Sequence, residues 1–134
     1  MTPVPAPYYV GCAGWSLPKE EQPAFPPEGT HLQRYAACFP AVEINSSFYR
    51  PHRPATYARW AASVPGGFRF AVKVPKVITH ERRLANADAP LDAFLAEATA
   101  LGAALGCLLE TLLELHDHAE QGMRAIEHFL DPDA

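Results

Sequence analysis

The chain has 134 residues, 49% hydrophobic and 19% charged, with a formal net charge of -4, which fits one soluble globular domain with a real core. No apolar run approaches a membrane span, and Met1 to Pro7 lacks the basic and apolar regions of a signal peptide. The three scattered cysteines, Cys12, Cys38 and Cys107, form neither a disulfide framework nor a zinc motif, so the reading is a cytoplasmic protein with buried structural thiols.

In chain order, Tyr8 to Ala13 reads as a buried strand ending at Gly14-Trp15-Ser16, and the proline-rich stretch Leu17 to Gly29 as a loop. Thr30 is a plausible N-cap for a short helix carrying Leu32, Tyr35, Ala36 and Phe39 on one face, closed by Pro40. Ala41 to Asn45 is the second strand, whose alternation sets Val42 and Ile44 against Glu43 and Asn45. After a loop from Ser46 to Arg53, Pro54 opens a helix displaying Tyr57, Trp60, Ala61 and Val64. Pro65-Gly66-Gly67 breaks that helix.

Phe68 to Val74 is the clearest strand, with Phe68, Phe70, Val72 and Val74 on one face and Arg69, Ala71 and Lys73 on the other. A loop from Pro75 to Ala89 leads into a helix with Leu91, Phe94, Leu95, Ala98, Leu101 and Leu105 at helical spacing. Leu105 to Leu109 reads as a short fourth strand, and Glu110 onward as an amphipathic helix whose apolar stripe includes His116, Met123 and Leu130. Strands alternating with helices over short connections indicate an α/β protein with a parallel sheet.

Three ordered motifs carry a resemblance. Gly11-Cys12-Ala13-Gly14-Trp15, then Val42-Glu43-Ile44-Asn45-Ser46-Ser47-Phe48-Tyr49-Arg50-Pro51, then Phe70-Ala71-Val72-Lys73-Val74-Pro75-Lys76-Val77-Ile78-Thr79-His80, are similar to the YecE-like family, domain-of-unknown-function family seventy-two. The resemblance spans Tyr8 to Leu109. It implies a TIM-type (β/α) barrel of about twice this length, and no reaction, because none is established for the family as a class. The expected architecture is therefore a partial barrel of about three to four βα units over residues 1–109, followed by a divergent helix over 110–134. After Leu109 the sequence departs from the family's Gln-Leu-Pro-Pro continuation.

Barrel sites lie at the C-terminal ends of the strands, in the loops that follow them. That rule selects Glu43 and Lys73 as the central pair, joined by an ion bridge between neighbouring strands, with Glu43 a general base and Lys73 an anion anchor. The alternative is a buried pair that only fixes packing. Arg50, Arg53, Lys76 and His80 would rim the same mouth and bind a phosphate or carboxylate, or else form an exposed basic loop. Asn45 faces the mouth beside them, and Trp15 and Tyr49 would stack on a ring or a sugar, or else plug the barrel. His116-Asp117-His118 does not read as a metal site, since residues two apart on a helix diverge. No phosphate-loop, dinucleotide-binding or serine-hydrolase motif occurs, so no metal or cofactor is expected.

Arg50 to Arg83 holds eight Lys or Arg residues against Glu81 alone. It favours a small anionic ligand as partner. The net negative charge and the lack of a recognised module weigh against nucleic acid. A rival reading is an inactive, truncated half-barrel that self-associates as a homodimer through its open edges.

Overall fold

The computed structural model describes residues 8–82 and 85–109. Seven regular elements follow one another: β1 (Gly11–Ala13), α1 (His31–Ala36), β2 (Ala41–Ile44), α2 (Pro54–Ala62), β3 (Arg69–Lys73), α3 (Asp88–Ala98) and β4 (Leu105–Leu109). The strands form one parallel sheet in the order β1-β2-β3-β4. Strands paired in sequence order, with a helix between each two, are the winding of successive units of a (β/α) barrel. A doubly wound sheet would reverse its order.

The core lies on the helix-facing side. Val42 and Ile44 of β2 and Phe70 and Val72 of β3 pack with Leu32 and Tyr35 of α1, Tyr57 of α2, and Leu91, Phe94 and Leu95 of α3. The opposite face, which carries Glu43, Arg69, Ala71 and Lys73, is half-buried. Both helix starts predicted from sequence are present. Thr30 accepts from the Gln33 N–H while the Gln33 side chain accepts from the Thr30 N–H, a reciprocal capping box, and Pro54 is the first residue of α2.

Four expectations need correction. β1 begins at Gly11 and is exposed rather than buried, because it is an edge strand of three residues with small side chains. All three cysteines are exposed free thiols, Cys12 and Cys107 on the two edge strands and Cys38 just after α1. Within the expected loop after β3, Val77–Glu81 forms a helical turn that buries Ile78 and Thr79. The third helix stops at Ala98: a 3-10 segment, Thr99–Ala104, follows, and Gly102 at φ 59° carries the chain into β4. The predicted helix from Glu110, with His116 and Met123, lies outside the described residues.

Position β1 is held from outside the ladder. The buried Tyr35 hydroxyl donates to the Ala41 carbonyl at 2.6 Å and accepts from the Cys12 N–H at 2.7 Å, clasping α1 onto the start of β1 and β2. Gly11 makes that approach feasible, since a Cβ there would overlap the Ala41 carbonyl and stand 2.8 Å from the Tyr35 hydroxyl. Among the described residues no helix is long and apolar enough to cross a membrane.

Candidate functional site

Parallel register arranges the sheet's open face in rows. Ala13, Glu43, Ala71 and Cys107 pair across the four strands, so the Glu43 carboxylate stands among small side chains. Ile44 pairs with Val72, which places Asn45 and Lys73 together in the next row toward the strand ends. There the Lys73 Nζ donates to Asn45 Oδ1 at 3.2 Å and sits 4.4 Å over the Phe48 ring.

The expected Glu43–Lys73 ion bridge is not what Lys73 forms: Asn45 is its partner among the described residues. The reason is register. Glu43 faces Ala71, two residues before Lys73 on β3, a separation of about 6.6 Å along a strand.

The turn Ser46–Phe48 that follows β2 is pinned to β3, because Ser47 Oγ hydrogen-bonds the Lys73 carbonyl at 2.6 Å, with the Ile44 carbonyl at 3.1 Å. Two clefts flank it. One, of about 280 Å³, is lined by Ala13, Gly14, Trp15, Ser16, Glu43, Asn45 and Ser46. The other, of about 420 Å³, lies between the loops after β2 and β3 and α3, with Tyr49, Arg50, Lys76, Phe94 and Glu97 in its lining.

The residues selected from sequence are therefore divided. Trp15, Glu43 and Asn45 line the smaller cleft, and Tyr49, Arg50 and Lys76 the larger. His80 meets the Phe48 ring edge-on at 4.9 Å and shares a 2.7 Å hydrogen bond with Thr79 through Nδ1. Trp15 also packs edge-on against Trp60 at 5.0 Å, so its ring serves the core as well as the cleft. Arg69 stands at the far end of β3 from Lys73, so these two charges do not share a patch.

Sequence reasoning passed over Ser46 and His52. Ser46 Oγ and His52 Nε2 are 2.7 Å apart, and the imidazole is edged by Tyr57 at 5.6 Å and Trp60 at 5.2 Å. Burial first, and the nearby Arg50 charge second, lower the His52 pKa from its ordinary 6.5. A Ser and a His six apart across a turn form no local pattern, and only the fold of the turn brings them together.

On α2, the Tyr57 hydroxyl is fully buried and has no hydrogen-bond partner among the described residues. Burial raises its pKa to about 12, with the Glu97 charge adding. The nearby Ser47 hydroxyl opposes the rise, but its proton points to the Lys73 and Ile44 carbonyls and it makes no hydrogen bond to Tyr57. Glu97 itself is raised by desolvation. Among the described residues no group of three or more His, Cys, Asp or Glu is placed to hold a metal ion.

A family model described as "Protein of unknown function DUF72" matches residues 9–133. The chain is 31% identical over 123 residues to UPF0759 protein YecE of Escherichia coli (strain K12), covering 92% of this chain and 43% of that protein. It is 31% identical over 78 residues to UPF0759 protein YunF of Bacillus subtilis (strain 168), covering 56% and 27%. The crystal structure of a DUF72 family protein from Enterococcus faecalis superimposes with a TM-score of 0.61 at 26% identity, over 75% of this chain and 40% of that one. The chain thus spans less than half the length of these relatives.

Proposed function

The chain belongs to the DUF72 family of proteins of unknown function, and from that premise we propose that the C-terminal end of its sheet binds a small anionic molecule, phosphorylated or carboxylated. The observation that carries this reading is Lys73. Its ammonium has three donors, and among the described residues its side-chain hydrogen-bond partner is the neutral Asn45 carboxamide. An anionic oxygen would supply the counter-charge that the register denies it. Glu43, one row deeper and lining the adjacent cleft, is then the acceptor for a ligand hydroxyl or the general base for its proton. Trp15 and Asn45 wall the ligand, while Tyr49, Arg50, Lys76 and His80 border the approach from the neighbouring cleft and the loop after β3.

The test is calorimetric titration of inorganic phosphate and of acetate into the chain and into Lys73→Ala, with a thermal melt of each. Saturable binding that weakens about 10- to 100-fold in Lys73→Ala, the worth of one charged hydrogen bond, supports the reading. Equal binding by a folded Lys73→Ala overturns it.

A second reading, self-association of the half-barrel, rests on the exposed edge strand β1 and on Gly106 and Cys107 exposed in β4 at the other edge. Light scattering across a concentration series tests it, and a monomer throughout removes it. The exposed thiols support a reducing, cytoplasmic setting. Nucleic-acid binding has less support, because Arg69 and Lys73 are separated along β3.

A further inference from the structure

We propose that Ser46 and His52 form a nucleophile–base pair that cleaves a short-chain carboxylic ester held in the 280 Å³ cleft. Three independent observations converge on it. The first is distance: Ser46 Oγ and His52 Nε2 are 2.7 Å apart, within the range for proton transfer. The second is access, since Ser46 lines the cleft beside Gly14, Trp15, Ser16 and Asn45, at the strand end where this architecture builds its sites. The third is the setting of the base. His52 is edged by the Tyr57 and Trp60 rings of α2, so packing fixes its orientation.

Protonation is consistent with the role. Desolvation holds the imidazole neutral near pH 7, and the ring with its proton on Nδ1 presents Nε2 as the acceptor. In the first step Ser46 Oγ attacks the ester carbonyl carbon and its proton passes to His52 Nε2. The carbonyl–alkoxy bond then breaks, and the alcohol leaves with the proton from Nε2. Water, deprotonated by the same nitrogen, adds to the acyl-serine and releases the carboxylic acid, returning the proton to Ser46. Atoms and charge balance with water as the only co-reactant. At about 280 Å³ the cleft is small for a ligand site, which suits a short acyl chain better than a long one.

The bond also has a purely architectural use, tying the turn after β2 to the head of α2. Reactivity separates the two roles. The full chain is incubated with an uncharged alkyl fluorophosphonate, and the adduct is located by peptide mapping, with a urea-unfolded control. The expected result is one adduct, on Ser46, absent in urea, formed at least about 100-fold more slowly in His52→Gln. No Ser46 adduct on the folded native chain overturns the proposal, as does an equal labelling rate in a His52→Gln variant that still melts cooperatively. The native chain alone decides the first point, so the outcome does not depend on a variant folding. The two readings are read out separately: phosphate titration follows Lys73, and covalent labelling by an uncharged probe follows Ser46, so either can fail alone.

Discussion

Removing the same atom from two buried tyrosines should change stability in opposite directions. The Tyr35 hydroxyl joins the Ala41 carbonyl and the Cys12 N–H, at 2.6 and 2.7 Å. Tyr35→Phe deletes both bonds at about 1 kcal/mol each, a loss of about 2 kcal/mol. The Tyr57 hydroxyl is equally buried but has no partner, so its desolvation is uncompensated. Tyr57→Phe should be neutral to stabilising, by about 1 kcal/mol after a small void is allowed for. Urea unfolding at pH 7, followed by the fluorescence of Trp15 and Trp60, measures both, since these rings pack against the core. Alkali gives a second reading of Tyr57. Its pKa is raised from 10.0 to about 12, so the protonated form's contribution is complete below pH 10 and is lost as pH rises toward 12. Tyr57→Phe should flatten that part of the stability profile. If Tyr57→Phe costs more than about 1 kcal/mol, or Tyr35→Phe costs nothing, the hydrogen-bond reasoning is wrong.

Gly11→Ala should drive β1 off β2, at about 3 kcal/mol, and hydrogen exchange should show β1 amides losing protection while β3 keeps its own. Thr30→Ala removes half of the capping box and should lower stability by about 1 kcal/mol in the same urea assay, with Thr30→Ser close to native. The His52 pKa is lowered, so its stabilising contribution is present above 6.5 and is lost as pH falls below that value through the folded one. Arg50 on the same loop adds its charge to that effect, and Tyr57 on α2 meets the ring edge-on. A pH series of melts should show this acid-side loss in the native chain and a flatter curve in His52→Gln.

The sequence announced the elements better than their partners. Period-two alternation in Val42 to Ile44 and Phe68 to Val74 is a local signal, and both strands bury the predicted face. The Thr30 cap and Pro54 start were equally local, and the structure contains both. Pairing between strands is not local. Alternation placed Glu43, Asn45 and Lys73 on one face, but whether Lys73 met Glu43 or Asn45 depended on sliding β2 against β3 by two residues, which leaves every face assignment unchanged. Cys12 and Cys107 are exposed for a related reason: composition reports that a thiol is small and apolar, not that its strand is an edge. Ser46 and His52 were invisible because a turn, not a period, joins them.

The Tyr35 clasp also sets an order of assembly. Its bond to Ala41 spans 6 residues, and its bond to Cys12 spans 23. On logarithmic loop-closure scaling the longer span costs about 1.2 kcal/mol more chain entropy, before any short-loop stiffness is counted. α1 and β2 therefore meet early, as a local hairpin-like unit. β1 has only three residues of ladder to offset its longer closure, so it docks after α1 and β2 have met and leaves before they part.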